Sequence, residues 1–236
     1  MIDANSSKFQ QFTYNDEEPG ITLEYSLFIP EDYDEETSYP LLMYIPDSSA
    51  SGKSAKEIVE QYYGSNVWVT EEDQEKHPSF VLVPAFSETI VDDNWTTSEQ
   101  IEIAVNLIES LQAEYSIDSD RLYTTEQSMG CMTSLYLNSK YPDLFAACMF
   151  VSGQWDINVL KPLEDSSFFY IVSAGDEKAS GGQAEVISMF DADGVSYSYN
   201  EWSAKSDDQE TLVKQMLEEG NSANMICFEK GTTLSI

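Results

Sequence analysis

Apolar residues along this chain fall into short clusters with two different periods. ITLEYSLFIP alternates apolar and polar positions over Ile21, Leu23, Tyr25, Leu27 and Ile29, as a strand with one buried face does. LLMYIP and SFVLVPAF are continuous apolar runs, suited to strands buried on both faces. Between them, SAKEIVEQYYG reads as a helix. From 97 to 115, Ile101, Ala104, Val105, Ile108 and Leu111 form one stripe at helical spacing, with Thr97 or Ser98 as N-cap. RLYTT is the next strand, and MGCMTSLYLNSKYP is a helix stopped before Pro142. AACMFVSG and SFFYIVSAG are two further short strands, and GGQAEVISMFDADG is a helix ended by Gly194. SYSYNEW reads as a strand, SDDQETLVKQMLEEG as a helix and NMICFEKG as a last strand. Alternating strands and helices predict an α/β fold with a mostly parallel sheet, and such sheets bind ligands beyond the carboxyl ends of their strands. There is no repeat, low-complexity tract or linker, so residues 1–236 read as a single domain.

Composition narrows the function. With 42% hydrophobic and 12% aromatic residues the chain has the material for a packed core. Its net charge of −32 repels nucleic acids and anionic lipid surfaces, which excludes that class of partner. The acidic residues are dispersed, and no D-x-D-x-D-G calcium loop occurs, so they read as a solvated surface suited to salty or extracellular conditions. Cys131, Cys148 and Cys227 are odd in number and widely spaced, which argues against a disulfide framework and a zinc site. No apolar stretch reaches the ~18 residues of a membrane span. The first residues lack a signal-peptide core, so a secreted native protein is expected to have lost its signal.

The chemistry centres on TTEQSMGCMTS, where Ser128 falls between a predicted strand and a predicted helix. That is the place of a nucleophile elbow, written G-x-S-x-G, whose small flanking residues allow a sharp turn. Gly130 supplies the second glycine; Glu126 stands at the first, where its side chain takes space normally left to hydrogen. The Met129 N–H would face a substrate carbonyl oxygen, reinforced by the positive end of the helix. The alternative role for Ser128 is simply to cap the helix.

EQSMGCMTSLYLNSKYPDLFAACMFVSGQWD resembles the elbow region of α/β-hydrolase esterases of the feruloyl-esterase and polyhydroxybutyrate-depolymerase type. The likeness extends to YPLLMYIPD, HPSFVLVPAF, IDSDRLY and YIVSAGDEKA, and so over about 25–231. The resemblance implies an α/β-hydrolase fold and hydrolysis of a carboxylic ester through an acyl-enzyme, without metal or organic cofactor. The ester would be a small molecule or one linked to a polysaccharide. The resemblance also implies a second oxyanion donor at the Ser48 N–H, although Pro46-Asp47 replaces the usual H-G, and a catalytic acid at Asp176 in preference to Glu177. Gln154, Trp155 and Asp156 follow a strand at its carboxyl end and are expected to face the substrate; Trp95 and Trp202 are weaker candidates. A bacterial extracellular or cell-surface location fits this reading.

The order of triad residues in this fold is Ser, acid, His. The sole histidine, His77, precedes Ser128 and should lie at the opposite sheet edge. Family members continue into a histidine loop and a final helix, so this chain is expected to lack both. Truncation, a pseudo-enzyme and a histidine supplied by another chain remain open explanations. Loss of the helix would uncover apolar sheet and favour self-association. The alternative function is an inactive hydrolase scaffold with a binding or structural role.

Overall fold

The computed structural model describes residues 5–16 and 20–234. Its strands are β1 (Gln10–Asp16), β2 (Ile21–Phe28), β3 (Tyr39–Ile45), β4 (Phe80–Ala85), β5 (Ile117–Glu126), β6 (Ala147–Val151), β7 (Phe168–Ser173), β8 (Tyr197–Trp202) and β9 (Ala223–Phe228). They form one sheet in the order β1-β2-β4-β3-β5-β6-β7-β9-β8. The β1–β2 and β2–β4 pairs are antiparallel and every later pair is parallel. The carboxyl ends of β3, β4, β5, β6, β7 and β9 therefore share one edge. Together with the flanking helices this is the predicted α/β-hydrolase architecture.

The helices are α1 (Ala55–Gln61), α2 (Glu71–Lys76), α3 (Gln100–Glu114), α4 (Met129–Lys140), α5 (Glu177–Asp193) and α6 (Gln209–Glu219). Two predicted boundaries move. Thr97 does not cap α3, because it pairs with Val91 in an isolated bridge. Ser98 accepts the Gln100 N–H at 3.3 Å, and the helix begins after Glu99. The helix expected from Gly181 starts four residues earlier, because the Asp176 carboxylate accepts the Ala179 N–H and caps it. Gly181 and Gly182 thus lie inside α5, each at a cost of about 1 kcal/mol relative to alanine. Gly194 ends the helix in the left-handed region at φ 73°.

Alternation along the strands separates two faces. Leu122, Cys148, Phe150, Phe168, Tyr170 and Val172 enter one core with Ile101, Ile108 and Leu111 of α3, Cys131 and Leu135 of α4, and Val186 and Phe190 of α5. On the other face α1 packs Ile58 and Val59 on Val81 and Val83 of β4, while Met216 of α6 meets Trp202, Ile226 and Phe228. Between α1 and α6 the centre of this face stays open. Tyr123, Met149, Phe169 and Ile171 are only partly buried there, along two apolar cavities of about 700 and 730 Å³ that meet at Met149 and Phe169. Among the described residues no helix follows β9. Among the same residues no helix is long and apolar enough to cross a membrane.

One ionisable carboxyl is buried in the helix-side core. Glu126, at the end of β5, is 0% exposed beneath α4. Neither carboxyl oxygen has a hydrogen-bond partner among the described residues. Burial pushes its carboxyl well above the ordinary value of 4.5, and the nearby Ser134 and Thr124 hydroxyls offset this only in part.

Two outcomes follow from this packing. Ile108→Ala empties a fully buried position under α3 and should lower unfolding free energy by about 2–5 kcal/mol, measured by urea denaturation. For Glu126 the folded state holds its proton more tightly than the unfolded state. Its contribution to stability is therefore present below pH 4.5 and is lost as pH rises towards the folded-state value. Glu126→Gln removes that titration, so the stability of wild type minus variant should fall as pH rises above 4.5. A difference that stays constant with pH would show that Glu126 is not a buried, protonated acid.

Candidate active site

β5 ends at Glu126 and α4 begins at Met129, leaving Gln127 and Ser128 to make the whole turn. Ser128 adopts φ 56° and ψ −112°, a region that residues with a side chain rarely enter. Its N–H donates to the Val151 carbonyl at 2.9 Å, and its own carbonyl accepts the Met132 N–H at 3.0 Å. Gly130 seats the turn on β3: a Cβ there would stand 2.1 Å from the Ile45 carbonyl oxygen. Gly153, just past β6, is equally confined, since its Cβ would meet Cys131 at 2.7 Å and the Ser128 carbonyl at 2.9 Å. Glu126 fits at the first glycine position because its side chain turns beneath α4, away from the turn.

The strained backbone leaves the Ser128 hydroxyl unengaged. It makes no capping bond to α4, which removes the capping alternative, and no described residue hydrogen-bonds it. The N–H of Met129 opens α4 and has no backbone partner. The N–H of Ser48 likewise has no backbone partner among the described residues, while the next N–H, of Ser49, donates to the Asp47 carboxylate at 2.8 Å. The turn after β3 reaches the elbow where the Ser51 hydroxyl approaches the Met129 sulfur at 3.9 Å. Two N–H groups without backbone partners among the described residues thus lie on α4 and on the turn after β3, which meet at this contact.

Asp176 leaves β7 at the same edge, exposed, with its carboxylate accepting from Ala179 at the start of α5. Burial is the main reason that the Cys131 thiol and the Tyr170 hydroxyl titrate well above their ordinary values, and the Asp176 charge adds to both shifts. The acid is therefore within electrostatic reach of the first turn of α4. His77 is elsewhere. It follows α2 and precedes β4, at the amino end of a strand about 20 Å long, opposite Ser128. The segment after β9 does return to the elbow: the Gln127 amide donates to the Leu234 carbonyl at 3.0 Å.

The three residues after Gly153 are disposed differently from expectation. Trp155 is 4% exposed, wedged between Trp95 (centroids 5.3 Å) and Tyr136 (5.7 Å), so its ring is part of the core. Asp156 turns to its own backbone, accepting the Asn158 N–H at 3.0 Å to cap a short turn. Gln154 alone reaches across the edge, donating to Asp93 at 3.1 Å. Asp93 also receives Lys178 at 2.5 Å. The exposed indole is that of Trp95, which is 40% accessible. Trp202 is buried against Phe228, on the open sheet face and not at this edge. No one-dimensional pattern joins Asp93 to Lys178, which are 85 residues apart. Among the described residues no three potential metal-ligating side chains converge.

Comparison with solved structures finds the same fold in several hydrolases. A thermostable esterase superposes with a TM-score of 0.70 at 23% identity, over 97% of this chain and 56% of that one. The S954A mutant of the feruloyl esterase module from Clostridium thermocellum, complexed with sinapinate, gives 0.65 at 14% identity, over 96% and 82%. The S-formylglutathione hydrolase FrmB from Staphylococcus aureus gives 0.53 at 13%, over 94% and 91%. The present chain thus spans little more than half of the first of these proteins. A search of curated proteins finds no match. Residues 17–231 match the family described as "Putative esterase", and on that span, nearly the whole sequence, the chain belongs to the Esterase family.

Proposed function

We propose that this chain is a serine carboxylic-ester hydrolase whose nucleophile is Ser128. The observation that carries the proposal is the elbow: a hydroxyl without a hydrogen bond among the described residues, on a strained backbone that directly precedes the Met129 N–H, itself without a backbone partner among them. In this reading the Ser128 Oγ attacks the ester carbonyl, and the N–H groups of Met129 and Ser48 receive the developing oxyanion. Solvent water takes the Ser128 proton and returns one to the departing alkoxide, so that collapse releases the alcohol and leaves an acyl-enzyme, which water hydrolyses to the acid and free Ser128. Asp176 supplies negative charge near the reaction centre and has no imidazole to orient within these residues. The sole histidine is His77, at the far edge. Catalysis by this chain as it stands therefore rests on the oxyanion donors and on binding. Such arrangements retain about 10³–10⁴-fold acceleration over water after loss of a triad member.

The substrate is a small-molecule ester or one carried on a polysaccharide. The acidic surface, with a net charge of −32, suits an extracellular or cell-surface setting. A second reading is an inactive scaffold that binds without turning over; its support is that His77 lies at the edge opposite Ser128.

Release of nitrophenol from nitrophenyl acetate distinguishes the two. Slow release is expected from the wild-type chain, falling to the uncatalysed rate in Ser128→Ala. Equal release by both proteins would refute Ser128 as nucleophile and favour the scaffold.

A further inference from the structure

The sheet face opposite α3, α4 and α5 stays open in its middle. Tyr123 on β5, Met149 on β6, and Phe169 and Ile171 on β7 are only partly buried there. The register sets Met149 beside Phe169 and Val151 beside Ile171. Over these side chains run the two apolar cavities of about 700 and 730 Å³ that meet at Met149 and Phe169. Three strands separated by two gaps of ~4.8 Å make a strip about 10 Å across. That is the spacing at which helices pack, so the strip has the width of one helix. Its length, set by the six residues of β7, is ~20 Å.

Charge limits what can cover this strip. In the whole chain 43 acidic residues face 11 basic ones. Along the two cavities the order reverses, with Lys76, Arg121 and Lys214 against Asp73 and Glu210. Each of these bases is paired: Lys76 with Glu72 at 2.8 Å, Arg121 with Asp118 at 2.6 Å and Lys214 with Glu210 at 2.6 Å. With their partners included, three bases meet four acids. The strip and its rim are close to neutral, and nearly all of the net charge of −32 lies elsewhere. Two copies meeting through most other surfaces would press like charges together. Two copies meeting here bury apolar surface among charges that are already paired.

The same face carries a knob as well as a groove. On α6, Met216 is committed to the chain's own sheet, against Trp202, Ile226 and Phe228. Val213 and Leu217, four residues apart and so on one row of the helix, line the cavity. Leu217 is 57% exposed, the most accessible large apolar side chain among the described residues. With 11 residues α6 is ~16 Å long, within the length of the strip. A knob and a groove on one surface are what a two-fold contact requires, because each copy then supplies both.

We infer that this face joins two copies of the chain about a two-fold axis. The α6 ridge of each, led by Leu217, enters the groove over Met149 and Phe169 of the other. The inference is independent of the ester chemistry, since neither Ser128 nor Met129 lines the strip.

Sedimentation equilibrium of the full chain, from about 10 µM to ~1 mM, tests the contact and reads any Kd tighter than ~1 mM. A monomer–dimer equilibrium is expected. Raising salt from about 0.1 to 1 M shortens the Debye length from ~10 to ~3 Å. The dimer should then tighten, because repulsion between the acidic remainders of the two copies is screened. Leu217→Glu should weaken it by about tenfold or more. Val159→Glu adds the same charge at an exposed apolar residue outside the strip and should leave the dimer within about twofold of wild type. Unchanged circular dichroism and melting temperature verify that both variants fold. A monomer at every concentration and salt would overturn the inference and leave the strip to some other occupant. So would equal weakening by Leu217→Glu and Val159→Glu, which would put the contact elsewhere. A dimer that salt dissociates would overturn it too, since ion pairs and not this apolar face would then hold the copies together.

Discussion

The contact on which the site depends is the seat of the elbow on β3. With hydrogen in place of a Cβ, Gly130 lets the first turn of α4 settle against the Ile45 carbonyl. That approach holds α4 close over the sheet and forces the connection from β5 into two residues. Ser128 absorbs the resulting strain with a positive φ, and its N–H is pinned to Val151 on the neighbouring β6. Tight packing beneath Ser128 thus goes with a hydroxyl that makes no capping bond to α4. The strain, of order 1–3 kcal/mol for such a backbone, is offset by a core that includes Cys131, Leu135, Cys148 and Phe150.

Glu126 shows how this core tolerates a departure from the usual motif. A glycine there leaves room above the turn; a glutamate has to send its side chain below, into the contact between β5 and α4. Desolvation then favours the neutral acid, which needs far less compensation than a buried carboxylate would. The substitution preserves the shape of the elbow and transfers its energetic consequence to the helix-side core.

The two faces of the sheet are unequal. One is closed by α3, α4 and α5; the other is covered only at its ends, and Tyr123, Met149, Phe169 and Ile171 remain partly accessible in its middle. The carboxyl edge lies between these faces and is bridged from the sides, where Asp93 links the loop after β4 to Gln154 after β6 and to Lys178 on α5. This bridge couples three strand ends around the elbow.

By itself the sequence determined most of the scaffold. Period-two and continuous apolar runs marked β2, β3 and β4, the stripe through Ile101, Ile108 and Leu111 marked α3, and S-x-G at a strand end marked the tight turn between β5 and α4. These are local signals, set by which face of a strand or helix is apolar and by how few residues a turn contains. β1 and α2 escaped because QQFTYND and EEDQEK carry little apolar periodicity; β1 is held by pairing with β2, and α2 by its cap at Thr70. The tertiary structure alone decided that Trp155 is covered by Trp95, that Asp156 and Asp176 both cap their own turns, and that Met149 and Phe169 stay partly accessible. Each of these depends on what another segment places over the residue, and nearest-neighbour patterns do not encode that information.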